Sequence, residues 1–381
     1  MAKVFDRVKT KYNCLSIESM TFIRYIGFTV MVKEVVLMKI LYVQEKEYLC
    51  ARLRDIPVIS ACNAISQQKD GFLVSLSFTD DTQVTLDVTV LKRAYPSVIA
   101  ALEKKEERNR DMYPVVMAPY ISNESAALCK QRNIGYMDLS GNCRLTVHSL
   151  YIYVQGIPNA YSEKRRAGSI FDPSSSVSSF ILRELMRDVS YRWKLSHLAE
   201  KLNCSIGQVF KVKDYLVQQL WAEMDTDGLK ILEPRAIMQA WSEAYEAKAS
   251  TFRTVNCYTL LSVPEFEAAI NQIHEEFGIA CYLTGFAGGV RYAPVVRYNK
   301  IHLLIRFEEL TEFLKHAPCK QVNSGANVQI HVVDTEVLLH DARIIQQQLV
   351  ASPVQVYLDC MRLEGRGEEM AEEIIAKEIE S

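Results

Sequence analysis

The chain has almost no net charge, and its cysteines do not occur in paired motifs. Its 44 Lys and Arg nearly balance 46 Asp and Glu, leaving a formal charge of −2. Any nucleic-acid binding therefore needs a local basic patch, because the molecule as a whole is not a polycation. The ten cysteines never form the C-x-x-C spacing of zinc and redox sites, and most stand singly inside apolar stretches. This placement predicts reduced, buried thiols in a reducing compartment.

Long uninterrupted hydrophobic runs are missing as well. The most apolar early stretch, residues 28–43, contains Lys33, Glu34 and Lys39. It is too short and too charged to span a bilayer. The first residues also lack the pattern of a signal peptide. We therefore expect no membrane contact and a cytoplasmic location.

A chain of 381 residues is too long for one hydrophobic core. Its first part alternates helix and strand patterns, which predicts an α/β domain around a central sheet. A stretch rich in Gly, Pro and Ser at residues 156–176 reads as a linker, a mostly helical pattern follows it, and a second strand–helix pattern completes the chain. The predicted fold is multi-domain α+β, with domains at residues 1–160, 173–248 and 252–381.

The middle segment carries the strongest local signals. In residues 195–202 the apolar side chains recur at helical spacing, so they form one stripe. Asn203 and Cys204 then interrupt the pattern. Ser205 followed three residues later by Gln208 is a capping box, which predicts that a helix begins at Ile206 and extends to residue 219. The predicted inner stripe of that helix is Val209, Val212, Leu216 and Leu220.

A short hairpin is predicted directly after this helix. Two strand-like runs at residues 221–224 and 229–232 flank Asp225-Thr226-Asp227-Gly228, which has strong turn chemistry. A further short helix is predicted before these two, at residues 180–187. Three helices followed by a hairpin is the order of a winged helix-turn-helix, whose third helix enters the DNA major groove by its N-terminal half.

The predicted partner is double-stranded operator DNA, which such proteins usually bind as a homodimer. Candidate contacts from the third helix are Ser205, Gly207, Gln208, Lys211 and Lys213. Candidate phosphate contacts are Lys230 on the wing and Arg192 and Lys194 before the second helix. The alternative is a scaffold or dimerisation module, because residues 176–235 contain nine Lys or Arg against eight Asp or Glu.

Three stretches resemble a bacterial family of transcriptional regulators, the AbiEi antitoxins of type IV toxin–antitoxin systems. They are residues 118–142, residues 205–241 and residues 352–369, the last being the most specific. The resemblance implies a winged helix that represses its own operon, or a stand-alone relative of such a repressor. It also implies a nucleotidyltransferase toxin that the antitoxin counters without a stable complex.

Enzyme motifs are incomplete in both outer domains. The first domain is similar to restriction-endonuclease-like folds. Asp87 and Lys92 lie on one predicted strand there, but the position between them that must be Glu in a magnesium-dependent nuclease is Val90. Glu103 and Lys105 have the required spacing in a charged helix. The last domain is similar to nucleotidyltransferases, yet residues 300–305 have no Asp-x-Asp. We expect no enzyme activity, cofactor or metal, with a nuclease targeted by the winged helix as the alternative.

Overall fold

The computed structural model describes residues 46–102, 112–160, 170–171, 176–249, 253–333 and 336–380. The chain divides between Glu163 and Lys164 into two compact units, described separately below. Each unit combines helices with a mixed β-sheet, so the predicted α+β class is confirmed. The candidate pair Glu103 and Lys105 lies outside the described residues. None of the described helices has the length and apolar surface needed to cross a membrane.

The first unit is built on a seven-stranded sheet whose strands follow in chain order. A helix at residues 46–54 packs Leu49 and Leu53 into the core of this sheet. The helices α1 (Pro96–Leu102) and α2 (Asn123–Gln131) also belong to this unit. The neighbours of β4 run parallel to it, and the other strand pairs are antiparallel. The strands are β1 (Ile59–Gln68), β2 (Gly71–Phe78), β3 (Gln83–Val90), β4 (Tyr113–Ala118), β5 (Gly135–Asp138), β6 (Cys143–Val147) and β7 (Leu150–Val154).

A buried turn between β5 and β6 closes one end of this sheet. The Asp138 carboxylate accepts hydrogen bonds from the N–H groups of Ile121, Gly141 and Asn142 at 2.8–3.0 Å. The Asn142 amide bonds both Asp138 and the backbone of Ile157. A buried carboxylate satisfied in this way holds loops together, so these polar residues stabilise the turn.

The second unit begins with the predicted helices and hairpin. They are α3 (Ser176–Arg187), α4 (Leu195–Lys201), α5 (Ile206–Gln218), the strands β8 (Ala222–Met224) and β9 (Leu229–Ile231), and α6 (Pro234–Ala249). We call residues 176–249 the helix–hairpin segment. The predicted break between α4 and α5 is confirmed. Asn203 at this break has φ +47°, the left-handed conformation that often ends a helix and that Asn adopts more readily than most residues.

A second seven-stranded sheet follows, in the order β13-β10-β14-β12-β11-β16-β15. Its strands are β10 (Thr254–Tyr258), β11 (Cys281–Thr284), β12 (Ile301–Arg306), β13 (Lys320–Gln321), β14 (Val328–Val333), β15 (Arg343–Ile345) and β16 (Gln348–Val350). Its helices are α7 (Val263–Phe277), α8 (Gly285–Tyr292), α9 (Phe307–His316), α10 (Pro353–Cys360) and α11 (Gly367–Ile374). The Ser352 hydroxyl caps α10 by accepting from Gln355 N–H at 3.2 Å, the usual role of a serine before the first turn of a helix.

One hydrophobic core joins the helix–hairpin segment to α8, α10 and α11. A buried polar network crosses the same boundary. The guanidinium of Arg183 on α3 donates to Gln355 Oε1 at 2.7 Å and to Ser352 Oγ at 3.3 Å. Tyr245 on α6 donates to Asp359 Oδ1 at 3.0 Å. The predicted domains at 173–248 and 252–381 therefore share one interior.

The structure departs from the sequence prediction at several strands. The prediction omitted β1, whose sequence is rich in Ser, Asn and Gln. It also omitted the hairpin of β15 and β16, whose turn uses Gln346 and Gln347 at positive φ instead of Gly or Asn. The sequence pattern also predicts a strand at residues 257–261. The structure places this strand at Thr254–Tyr258, because Thr259 leaves the sheet to bond Asn327 and the carbonyl of Pro318.

Gly228 gives a stability test of the hairpin. It has φ +140°, and a Cβ there would lie 2.7 Å from the carbonyl oxygen of Trp193. Gly228→Ala should therefore cost about 2 kcal/mol of unfolding free energy. The matched control is Gly207→Ala, because a Cβ at Gly207 meets only Ser205 Oγ, at 4.0 Å. Urea denaturation followed by circular dichroism measures both. Equal midpoints for the two variants would contradict this account of the hairpin.

Candidate nucleic-acid interface

A capping box starts α5. Gln208 Oε1 accepts from Ser205 N–H at 3.3 Å and from Ser205 Oγ at 3.2 Å, and the Ser205 side chain in turn accepts from the backbone at Gln208. These reciprocal bonds satisfy donors that a helix start leaves open. The predicted capping box is confirmed, and it engages the Gln208 oxygen that base recognition would also require.

The buried stripe of α5 decides which residues face away from the protein. Val209, Val212 and Leu216 are fully buried, as predicted, while Leu220 is 40% exposed beyond the helix end. At 100° per residue, the direction opposite this stripe is occupied by Gly207, Phe210, Lys211 and Asp214. All four are exposed. We call these four residues the outward face of α5; Ser205 and Gln208 are exposed beside it.

Helix α4 is held against α3 by a buried carboxylate. Glu184 is 2% exposed and lies 2.7 Å from Lys201 Nζ, with Arg187 at 3.7 Å. Leu195, Leu198 and Ala199 of α4 are buried in the shared core. Because α3, α4 and α5 contribute to this one core, packing against α3 and α4 holds the start of α5 in position.

The hairpin also pairs with Trp193 through a single-residue β-bridge, which the sequence did not predict. Trp193 and Leu229 exchange two backbone hydrogen bonds of 2.9 Å each, so the segment two residues before α4 pairs with β9. Gly228 allows this close approach. The available signal was the short run Tyr191-Arg192-Trp193, whose two aromatic residues favour strands.

Two of the predicted phosphate contacts are engaged inside the protein. Arg192 pairs with Glu223 at 2.8 Å and with Asp225. Lys194 Nζ donates to the Thr226 carbonyl at 2.6 Å. The pKa of Asp225 is lowered because the N–H groups of Asp227 and Gly228 donate to its carboxylate, with Arg192 adding to the effect. These contacts hold the hairpin turn to the residues before α4.

The remaining predicted basic residues differ in their availability. Lys211 is exposed on the outward face of α5. Lys213 lies beside the outward face, and only 16% of its side chain is exposed. It pairs with Asp214, and its Nζ lies 5.1 Å from the centre of the Phe210 ring. Lys230 is half-buried and stands opposite Glu223 across the hairpin. The structure therefore brings Ser205, Gly207, Gln208 and Lys211 together at the start of α5 and separates Lys213 from them.

Sequence reasoning also missed Phe210, which is 44% exposed on the outward face. The contacts predicted for this helix were Gly207 and four polar or charged residues, with no apolar side chain among them. The signal was present in the helical pattern, because an aromatic residue at position 210 falls outside the stripe formed by Val209, Val212 and Leu216.

The second sheet holds a buried polar cluster where a nucleotidyltransferase-like site was considered. Thr284 ends β11 and its hydroxyl donates to Asp359 Oδ2 at 2.5 Å. His302 Nδ1 lies 3.3 Å from His331 Nε2. The residues that the structure describes contain no group of three His, Cys, Asp or Glu placed to hold a metal ion. Asp359 already accepts from both Thr284 and Tyr245, so the cluster stabilises the fold.

A family model described as "Transcriptional regulator, AbiEi antitoxin, Type IV TA system" matches residues 230–380. This region is similar to that family, as the sequence resemblance predicted, and it covers α6 and the second sheet with its helices. No curated protein matches the chain.

Among solved structures, one titled "Structure of EndoMS in apo form" matches with 14% identity and a TM-score of 0.17. The match covers 26% of this chain and 45% of that chain, which is under half of its length. The family match is the comparison that bears on function.

The capping box gives a test that separates helix stability from side-chain chemistry. Gln208→Ala removes one half of the box and should cost about 1 kcal/mol of unfolding free energy. Gln208→Glu keeps the acceptor oxygens and should stay near the wild-type value. Urea midpoints measure both variants. If Gln208→Glu proved as unstable as Gln208→Ala, the bonds to Ser205 would not be what stabilises the helix start.

The histidine cluster gives a pH test. Burial lowers the pKa of His302 to about 3, and burial also lowers the pKa of His331. An unfolded histidine has a pKa near 6.5, so the unfolded state binds more protons below that pH. Stability should therefore fall as pH drops from about 6.5 towards 3. At pH 5 the contribution of His302 to this loss is about 2 kcal/mol.

The corresponding experiment compares urea unfolding at pH 7.5 and pH 5. His302→Gln should reduce the loss of stability between these two conditions. His197→Gln is the matched control because His197 is exposed on α4, and it should keep the wild-type pH dependence. An unchanged pH dependence in His302→Gln would contradict the buried, neutral state of this residue.

Proposed function

We propose that the protein is a DNA-binding transcriptional regulator, in which residues 176–249 act as a winged helix-turn-helix. The observation that carries the proposal is the start of α5: a capped helix whose outward face is exposed while its opposite face is locked in the core. The similarity of residues 230–380 to regulators of the AbiEi type supports the same class.

In this proposal the N-terminal half of α5 enters the major groove. Gly207 has open space above it, so a groove wall can approach the helix backbone closely. Lys211 reaches a guanine edge or a phosphate. The Gln208 amide nitrogen donates to a base edge while its oxygen stays in the cap. Arg192, Lys194 and Lys213 support the site through their internal contacts, and Lys230 on the hairpin contacts a phosphate.

The biological role follows the family similarity. We propose that the protein acts in the cytoplasm as a type IV antitoxin, or as a stand-alone relative, that represses its own operon. It would bind its operator as a homodimer, since a two-fold protein matches a palindromic site. It would counter a nucleotidyltransferase toxin without forming a stable complex. The proposal assigns no catalytic step to this chain.

DNA binding can be tested by fluorescence anisotropy on a duplex from the upstream region of the gene and on a scrambled duplex. The full chain should prefer the upstream duplex. Lys230→Ala should weaken binding to both duplexes about equally and should reduce the salt slope by about one unit, because one phosphate contact is lost. Lys211→Ala should reduce the preference for the upstream duplex.

Lys201→Ala is not a suitable control, because Lys201 pairs with the buried Glu184. Lys320→Ala is better, since Lys320 is exposed on β13 at the edge of the second sheet. It should bind both duplexes like the wild type. Equal affinity of the wild-type protein for upstream and scrambled duplexes would contradict the proposed role as a specific regulator.

A further inference from the structure

Phe210 is a large apolar side chain placed where a DNA-reading helix meets the base pairs. It is the fifth residue of α5, in the N-terminal half, and 44% of its surface is exposed. Gly207 stands three residues earlier on the same outward face, and a Cβ there would meet no atom closer than 4.0 Å. The ring and the bare backbone together form a shallow apolar surface at the start of the helix.

The charges around the ring indicate what it contacts. Lys211 is exposed next to it, and Lys213 Nζ lies 5.1 Å from the ring centre, where the cation is attracted by the ring face. Lys213 also pairs with the neighbouring Asp214. This arrangement is suited to DNA, because the apolar ring can contact a base edge while the lysines beside it face the neighbouring phosphates. Ile206, four residues before Phe210 and 47% exposed, extends this apolar surface on one side, and the charged Lys211 and Asp214 border the ring on the other side. The core of a protein interface is usually depleted of such charged residues.

In the major groove the one apolar group that a base pair presents is the 5-methyl group of thymine. A phenyl ring can pack on this methyl and thereby distinguish thymine from cytosine or from uracil. We infer that Phe210 is a specificity-determining residue that reads a thymine methyl group in the operator. This inference rests on the proposed function, and it adds to it both a residue and the base that the residue recognises.

The test uses the upstream duplex after the bound region has been located by footprinting. Each thymine in that region is replaced singly by deoxyuridine, which removes the methyl group and keeps every hydrogen-bonding atom. At one thymine position per half-site, this replacement should weaken binding by the wild-type protein about fourfold, because the burial of one methyl group is lost. Phe210→Ala should bind the unmodified duplex more weakly and should lose its sensitivity to deoxyuridine at that same position.

Leu232→Ala is the matched control, because Leu232 is also 44% exposed but follows the hairpin. It should keep the wild-type response to deoxyuridine. Phe210→Ala removes an exposed side chain, so its urea midpoint should stay close to that of the wild type, and this measurement shows that the variant folds.

The outcomes separate this inference from the proposed function. Specific binding of the upstream duplex with no deoxyuridine position that depends on Phe210 would overturn the inference and leave the function standing. Absence of specific binding would overturn both. If Phe210→Ala left DNA affinity unchanged but abolished self-association in analytical ultracentrifugation, the ring would belong to a protein interface, and the inference would be wrong.

Discussion

The burial of Val209, Val212 and Leu216 is the constraint on which the proposed activity depends. These three side chains lock one face of α5 into the core, and helix geometry then turns Gly207, Phe210 and Lys211 outward. The capping bonds between Ser205 and Gln208 fix where the helix begins. A rotation of α5 by one residue, about 100°, would bury the Phe210 ring and turn the stripe of Val209, Val212 and Leu216 towards solvent. The candidate interface is thus set by packing on the opposite side of the helix.

The shared interior connects this helix to the part of the chain that resembles the regulator family. Arg183 on α3 is fully buried, and burial lowers its pKa to about 10, so it remains charged and needs its bonds to Gln355 and Ser352. Tyr245 binds Asp359 in the same interior. Removing one partner of a buried charged network usually costs several kcal/mol. The helix–hairpin segment and the second sheet therefore form one structural unit, in which a change at α10 can reach α3.

Much of the helix–hairpin segment could be predicted from the sequence because its signals are local. The apolar spacing of Leu195 and Leu198, the Ser205–Gln208 pair and the Asp-Gly turn each act within a few residues. The charge partners could not be predicted, since Arg192 meets Glu223 and Asp225 only after the hairpin folds back. This pairing makes Arg192 a support of the hairpin, and the bond from Lys194 to the Thr226 carbonyl does the same for Lys194, so neither expected phosphate contact is left free for that role. Strand β1 was missed because its exposed polar residues hide the alternation of its few buried ones.

The central claim is that the start of α5 touches DNA. The most direct measurement places a photoreactive p-benzoylphenylalanine at position 211 of the full chain and irradiates the protein with the upstream duplex. The account predicts a covalent protein–DNA adduct from position 211 and none from position 232 after the hairpin. Binding of the duplex without any adduct from position 211, or an adduct only to a second copy of the protein, would contradict it.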